Sequence, residues 1–279
     1  MKRIALVTAW LILLASCNYI DIPDILFSPS SVNERFKQSQ QWNESHPTQI
    51  ITTSNESYII MTMADSHVGT TINLTHFLTD AQNRSALAVV INGDFCTGHA
   101  KDYELFDTTI KQYTTLPIFT TVGNHELYFD GWNEYFTRYN SASYYFSVQT
   151  PTQKDLFICL DSGSGTLGKK QLAWLQALLK NNRANYRNCL VFTHVNFFRI
   201  RHTGSTNPTI EELHILLDLF AKHNVNMVIT GHDHEKYSEQ LGNTTYLSVD
   251  ALKDGLPNAG YLLLEIDNSI RYHFLSIAQ

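Results

Sequence analysis

The sequence has few cysteines, few charged residues and no excess of basic residues, and each shortage excludes a class of protein. Four cysteines in 279 residues are too few and too widely spaced for a fold held together by disulfides. The 20 Lys and Arg stand against 26 Asp and Glu, and the net charge of -6 argues against a nucleic-acid-binding surface, which is usually basic. Hydrophobic residues make up 43 % of the chain and charged residues 16 %, so we expect a large buried core.

The sequence also lacks an apolar segment long enough to span a membrane, which takes about 20 residues. Ile4 to Ala15 form a shorter, mostly apolar segment that follows Lys2 and Arg3, as in a signal peptide. This segment runs into Ser16 and Cys17, and that ending resembles a bacterial lipobox. We therefore predict a lipoprotein signal peptide over residues 1–16, lipidation of Cys17 and a membrane anchor in the bacterial cell envelope. An ordinary secretory signal followed by a chance cysteine is the alternative.

Residues 17–50 are rich in Ser, Gln, Asn and Pro, and we predict a flexible tether there. The remaining cysteines are Cys96, Cys159 and Cys189. Cys159 and Cys189 lie in apolar, strand-like segments, which predicts buried and inert thiols. The sequence leaves open whether these two form a disulfide in an oxidising compartment.

From residue 51 to 279 we predict one folded domain, in which apolar, β-branched segments alternate with segments of helical periodicity. The predicted helices cover residues 71–82, 101–113, 169–181 and 210–223. The predicted strands cover residues 58–63, 87–92, 118–122, 156–160, 189–193, 225–230, 236–241, 244–249, 260–266 and 271–277. Such alternation favours βαβ units and parallel pairing. Ligands of open α/β sheets bind beyond the carboxyl ends of the strands.

Five of the predicted strands end on polar residues that can bind metal. Each cluster alone is weak, because an Asp after a strand is usually a turn former and a lone His is common. All five follow apolar strands in order, and imidazole, carboxylate and amide oxygen suit Zn, Fe and Mn. The pattern therefore predicts a metal site. The clusters are Asp65-Ser66-His67, Gly93-Asp94, Gly123-Asn124-His125-Glu126, His194 and Gly231-His232-Asp233-His234.

The order of these motifs over residues 58–250 resembles the calcineurin-like metallophosphoesterase family. The resemblance implies an α/β fold, a four-layer α-β-β-α sandwich of mixed sheets flanked by helices. It also implies two divalent or trivalent metal ions (Mn, Fe or Zn). The first metal would be held by Asp65, His67 and His234, the second by Asn124, His194 and His232, and Asp94 would bridge them. Asn124 and His125 would also contact the substrate.

The implied reaction is hydrolysis of a phosphodiester or phosphomonoester, outside the cytoplasm, by attack of a hydroxide that bridges the metals. Two cations about 3.5–4 Å apart lower the pKa of a shared water and neutralise phosphate oxygens. The implied catalytic residues are Asp94 and His125, and His125 as an imidazolium could protonate the leaving alkoxide, oriented by Glu126 or Asp65. The alternative is a non-catalytic metal-binding lipoprotein that uses the same fold as a binding module. The presence of every expected ligand argues against it.

Two positions depart from the pattern of relatives. Thr97 stands where purple acid phosphatases have Tyr, which argues against a tyrosine-ligated iron. Asn196 stands where many relatives have Pro, so the substrate pocket is expected to differ there.

Residues beside the motifs offer two further hypotheses, each with a plain alternative. Five aromatic residues would form a wall of the substrate pocket or simply pack: Phe95, Tyr128, Phe129, Phe197 and Phe198. Four loop residues would contact phosphate or remain solvated: His99, Arg199, Arg201 and His202.

Overall fold

The computed structural model describes residues 30–198 and 206–277, and within them it has six α-helices and twelve strands. The helices are α1 (Val32–Ser45), α2 (Ile72–Asn83), α3 (Ala100–Tyr113), α4 (Gly131–Tyr139), α5 (Gly168–Asn182) and α6 (Ile210–Lys222). Short 3-10 helices cover His125–Asp130 and Arg183–Asn185. The strands are β1 (Ile50–Thr52), β2 (Tyr58–Met63), β3 (Ala88–Asn92), β4 (Ile118–Thr121), β5 (Tyr144–Gln149), β6 (Lys154–Leu160), β7 (Cys189–Thr193), β8 (Met227–Thr230), β9 (Tyr237–Leu241), β10 (Thr244–Ser248), β11 (Gly260–Ile266) and β12 (Ile270–Ser276).

The strands form two mixed sheets. The seven-stranded sheet has the order β1-β5-β6-β7-β8-β10-β9, and the five-stranded sheet has the order β12-β11-β2-β3-β4. Parallel pairing joins β2 to β3 and β3 to β4 in one sheet, and β6 to β7 and β7 to β8 in the other. Antiparallel pairs such as β5 with β6 and β11 with β12 make each sheet mixed.

Three apolar clusters hold four layers together. The central cluster lies between the sheets, where Phe146 stacks on Phe157 with ring centroids 4.8 Å apart. On the outer face of the five-stranded sheet, residues of α2, α3 and α4 such as Phe77 and Phe106 are fully buried. On the outer face of the seven-stranded sheet, α5 and α6 bury residues such as Phe220. The predicted α-β-β-α sandwich is confirmed, because burial of one face of each helix against a sheet produces these layers.

The predicted helices and strands are all present, and their ends differ from the predicted ends by no more than two residues. The clearest difference lies in the segment that we expected to be a tether. Residues 32–45 of that segment form α1, which begins with a capping box between Ser31 and Glu34. α1 packs on the domain through a fully buried ion pair between Arg35 and Asp161. The buried charge explains the difference, since the inward face of this helix is partly polar and lacks an apolar stripe.

The three cysteines of the described residues are buried and free. Cys159 of β6 faces the cluster between the two sheets, whereas Cys189 of β7 faces the cluster under α5 and α6. The two side chains thus lie on opposite faces of the same sheet. Cys159 and Cys189 therefore do not form a disulfide.

The predicted signal peptide and Cys17 lie outside the described residues. Within residues 30–198 and 206–277, no helix combines the length and the apolar character needed to cross a membrane.

Candidate metal centre

The carboxyl ends of parallel strands bring the predicted site residues to one rim of the sandwich. In the five-stranded sheet, Asp65 follows β2, Asp94 follows β3, and Asn124 follows β4. In the seven-stranded sheet, His194 directly follows β7, and His232 follows β8 after Gly231. The rim is therefore shared by both sheets.

The side chains at this rim form three overlapping groups of carboxylates and imidazoles. One group is Asp65, His67 and His234, a second is Asp94, His194 and His232, and a third is His67, Asp94 and His125. Within each group the possible metal-binding atoms lie within 4.8 Å of one another. His67 and Asp94 each belong to two groups, so the three groups are one continuous cluster of potential metal-binding residues.

Each buried carboxylate faces several imidazole nitrogens. Asp65 Oδ1 lies 3.2 Å from His234 Nε2, 3.7 Å from His67 Nε2 and 4.0 Å from His194 Nε2. Asp94 Oδ2 lies 3.1 Å from His194 Nε2 and 3.9 Å from His125 Nε2. The acidic oxygens and the ring nitrogens thus point into a common space.

The backbone at the site is strained. Five of the predicted ligands have a positive φ: Asp65 (54°), His67 (40°), Asp94 (52°), His232 (72°) and His234 (58°). Residues with a side chain rarely adopt this left-handed conformation, which costs about 1–3 kcal/mol each. Such strain is often found at functional sites, where the surrounding structure enforces it.

Glycines allow the motif loops to lie against one another. A Cβ atom on Gly93 would collide with the ring of His194, and one on Gly123 would collide with the carboxylate of Asp94. The glycines of the Gly-Asp and Gly-Asn-His-Glu motifs therefore make room for a predicted ligand from another motif.

The cluster strongly perturbs its own protonation. Burial opposes ionisation of Asp94, but the nearby His194 and His125 hold the pKa of Asp94 well below its ordinary value. Burial lowers the pKa of His67 to about 4. Burial would also lower the pKa of His194, but the adjacent Asp94 carboxylate outweighs burial and raises the pKa of His194. A metal ion at this site would require the neutral form of His194, because a coordinating imidazole is neutral.

The donor atoms fit a metal ion. His194 Nδ1 lies 2.9 Å from the carbonyl oxygen of Asn92, so Nε2 is the ring nitrogen that faces the cluster. The Asn124 amide donates from Nδ2 to the Tyr128 hydroxyl at 3.2 Å. Its Oδ1 is buried and has no hydrogen-bond partner within the described part of the chain. A buried acceptor without a partner is unfavourable, and a cation would satisfy it.

Two buried side chains hold the loops in place in a way that the sequence did not predict. Asn92 donates from Nδ2 to the carbonyl oxygens of Thr193 and Ile229, each at 3.1 Å, and thereby links the two sheets beneath the cluster. The Glu126 carboxylate accepts backbone N–H groups of Asp94 at 2.8 Å, Cys96 at 2.9 Å and Gly123 at 2.7 Å. Glu126 thus joins the Asp94 loop to the Asn124 loop.

The hypothesis that Glu126 or Asp65 orients His125 is wrong. The Glu126 carboxylate is engaged by backbone N–H groups, and the Asp65 carboxylate faces other histidines. His125 instead donates its backbone N–H to Asp94 Oδ1 at 2.9 Å, and its ring packs edge-on against His67 at 4.4 Å between centroids. Its side chain is 32 % exposed, so it forms the outer border of the cluster.

Comparison with known proteins identifies the family to which this sequence belongs. Residues 59–236 match the family model described as calcineurin-like phosphoesterase. The chain belongs to the calcineurin-like phosphoesterase family. No curated protein matches the sequence significantly.

Solved structures share the fold of this phosphoesterase at low sequence identity. A dimetal phosphatase from Danio rerio is 13 % identical with a TM-score of 0.63, over 78 % of this chain and 96 % of that one. GAP50, the anchor in the inner membrane complex of Plasmodium, is 13 % identical with a TM-score of 0.62, over 80 % and 90 %. A purple acid phosphatase from yellow lupin seeds is 15 % identical with a TM-score of 0.61, over 80 % and 52 %. At these identities the likeness supports the fold alone.

The positions that depart from the family pattern have structural partners in this phosphoesterase. Asn196 is buried and donates from Nδ2 to Asp233 Oδ2 at 3.0 Å, so it links the His194 loop to the loop of His232 and His234. The hydroxyl of Thr97 donates to Asp102 at the beginning of α3. Neither contact was predicted from the sequence.

The proposed aromatic wall is only partly present in the phosphoesterase. Phe95 is fully buried under α3, and Phe197 packs on Phe220, so both are core residues. Phe198 packs on Tyr246. Tyr128 and Phe129 lie three and four residues after His125, in the same 3-10 helix, and the Tyr128 ring packs against that of His125. The loop residues Arg199, Arg201 and His202 lie outside the described residues.

Proposed function

We propose that the protein is a metal-dependent phosphoesterase that uses two metal ions. One ion would be bound by Asp65, His67 and His234, and Asp94 would be shared. The other would be bound by Asn124, His194 and His232. The observation that carries this proposal is the overlap of the Asp/His groups at Asp94, because one carboxylate with imidazoles on both sides is suited to bridge two ions.

Metal ions at this site would supply Lewis-acid activation of a water molecule and neutralisation of the phosphate oxygens. The chain itself is acidic, with a net charge of -6, and its two site carboxylates are buried. These carboxylates would hold the cations, and the positive charge held there would attract an anionic ester to the rim.

His125 has the position of a proton donor. In hydrolysis the water oxygen forms a bond to phosphorus, and the bond from phosphorus to the leaving oxygen breaks. The leaving oxygen then needs a proton, and His125 on the exposed border of the cluster is placed to supply it from its ring. Asn124, whose amide is anchored on Tyr128, would contact the phosphate together with His125.

We propose further that the protein acts outside the cytoplasm, in the cell envelope, and is anchored through a lipid on Cys17. The supporting observation is the sequence of Lys2, Arg3, the apolar segment 4–15 and Cys17. An external phosphoesterase would release phosphate or a headgroup from small esters that reach the envelope.

The decisive experiment removes metal from the purified protein and restores Mn, Zn or Fe one at a time. Hydrolysis of one chromogenic phosphodiester and one chromogenic phosphomonoester is then followed for wild type, His194→Ala and His214→Ala. His214 lies exposed on α6 and is the matched control. We expect metal-dependent turnover in the wild type and in His214→Ala, and loss of at least about a hundredfold in His194→Ala.

The result also separates the two functions that the fold allows. Two bound ions without turnover on either ester class would favour a binding module. Absence of stoichiometric metal binding would overturn the proposal altogether.

A further inference from the structure

The rim of the metal centre carries an exposed aromatic pair. Phe129 is 48 % exposed, and the imidazole of His99 stacks on it with ring centroids 4.2 Å apart and an interplanar angle of 15°. Large apolar side chains at the surface are common, but ligand sites are typically lined by aromatic side chains together with a few polar groups.

The local backbone holds this pair in place. Phe129 and Asp130 both adopt left-handed φ values, 54° and 60°. The loop that carries His99 comes close enough only because of Gly98, where a Cβ atom would collide with the carbonyl oxygen of Tyr128. The sequence thus keeps a strained, tightly packed turn whose effect is to present the Phe129 ring at the surface.

A row of rings connects the pair to the metal centre. The His67 and His125 centroids are 4.4 Å apart, and those of His125 and Tyr128 are 4.5 Å apart. The Tyr128 and Phe129 centroids are 6.3 Å apart. The row begins at a predicted metal ligand, passes the predicted proton donor and ends at the exposed stack.

We propose that Phe129, stacked on His99, is a subsite for a planar aromatic ring in the substrate, on the leaving-group side of the scissile bond. This inference rests on the proposed phosphoesterase activity and specifies its substrate class: phosphoesters that carry a flat ring, as nucleosides do. A leaving group protonated by His125 extends outward along this row, so its distal part meets Phe129. Aromatic side chains bind flat rings by stacking, which a flexible alkyl group such as glycerol does not reproduce.

The test compares ring-bearing and alkyl esters on the metal-loaded protein. The monoester pair is adenosine 5′-monophosphate and glycerol 3-phosphate, and the diester pair is an adenosine dinucleotide and glycerophosphoethanolamine. The variant Phe129→Leu removes the ring and keeps apolar volume. We expect its KM for the ring-bearing ester to rise about tenfold, its kcat to stay within about twofold, and its KM for the alkyl ester to stay unchanged.

Two variants serve as controls. Phe129→Tyr keeps a ring and should restore the wild-type KM. Tyr113→Leu removes another exposed aromatic side chain, at the carboxyl end of α3, and should leave the KM for both esters unchanged. An equal change in KM for ring-bearing and alkyl esters, or no change in either, overturns the proposal.

A binding measurement separates this inference from the proposed activity. If the wild type hydrolyses none of the esters, calorimetry with adenosine 5′-monophosphate and glycerol 3-phosphate still compares the two ligands. Tighter binding of the nucleotide that is lost in Phe129→Leu supports the subsite without turnover. Equal affinity for both ligands in the wild type contradicts it.

Discussion

At the scale of single residues, the role of His125 as a proton donor can be distinguished from that of a predicted metal ligand by comparing two kinds of ester. It borders the cluster, and its side chain is 32 % exposed. We expect His125→Ala to lower kcat for an alkyl ester by about 10² to 10⁴, because a poor leaving group needs its proton. The kcat for an ester of 4-nitrophenol should fall much less, since nitrophenolate leaves without a proton. Metal content should remain that of the wild type. Equal losses on both esters would contradict the role of proton donor.

Glu126 offers a test of the loops that carry the ligands. Glu126→Gln keeps the shape of the side chain but places an NH2 group against backbone N–H groups that the carboxylate now accepts. We expect the free energy of unfolding to fall by about 1–3 kcal/mol in chemical denaturation, together with reduced metal content. Glu134→Gln is the matched control, because Glu134 on α4 is 40 % exposed and has a weak pair with Arg138. An equally small loss of unfolding free energy in both variants would show that the contacts of Glu126 stabilise the protein no more than those of the exposed Glu134.

The sequence predicted which residues meet at the site but did not predict how they are held. Asp65, Asp94 and His194 were found because each follows an apolar strand, and parallel strands end at one edge. The positive φ of five predicted ligands was not foreseen, because left-handed backbone in Asp and His arises from tertiary packing. Asn92 and Glu126 were not assigned their roles, since their partners are backbone groups of distant segments.

At the scale of elements, α1 should be an integral part of the domain. The guanidinium of Arg35 contacts both Asp161 oxygens, at 2.8 and 3.2 Å, and both side chains are fully buried. Arg35→Met would leave the Asp161 charge buried without its partner, which costs about 3–5 kcal/mol. We expect that loss in the free energy of unfolding measured by urea denaturation, and partial recovery in the double variant Arg35→Met, Asp161→Asn.

The matched control for α1 is Arg84→Met. Arg84 also pairs with an acid, Asp80, at 2.7 Å, but its side chain is 45 % exposed. Exposed pairs contribute about 1 kcal/mol or less, so this variant should be nearly as stable as the wild type. If Arg35→Met were no more destabilised than Arg84→Met, α1 would not be anchored by this ion pair.

Continuous apolar segments predicted several strands accurately, whereas α1, α4, β1 and β5 were not predicted. β2, β7 and β11 match their predicted ranges residue for residue, because their apolar segments are continuous. α1 was missed although Ser31 and Glu34 supply a capping box, because its buried face includes Arg35 and Ser39. α4 follows two left-handed residues, and no local propensity indicates a helix that begins there.

At the scale of the whole molecule, metal ions should stabilise the fold as well as provide its chemistry. The cluster brings two buried carboxylates together with several imidazoles, and a bound cation would compensate the carboxylate charge. A free metal concentration of 100 to 1,000 times Kd stabilises the folded state by about 3–4 kcal/mol. For a domain of this size that corresponds to a rise in Tm on the order of 10 °C. Calorimetry before and after chelation, with elemental analysis, should show this shift and two ions per chain.

His194→Ala serves as the control for the stabilisation. It removes a buried nitrogen that faces Asp94 at 3.1 Å, so its Tm should respond much less to added metal. An identical response of wild type and variant would place the bound ions elsewhere on the protein.

The membrane anchor is tested on the full chain in a bacterial host. If Cys17 is acylated, cells fed an alkyne-bearing fatty acid should yield a labelled protein in the membrane fraction, and Cys17→Ser should abolish the label. A lipid of one chain binds membranes only marginally, whereas the several acyl chains of a bacterial lipoprotein anchor it stably. Mass spectrometry of the mature amino terminus separates the alternatives. A terminus at an acylated Cys17 supports the lipoprotein, whereas an unmodified terminus produced by ordinary cleavage, with protein in the soluble fraction, contradicts it.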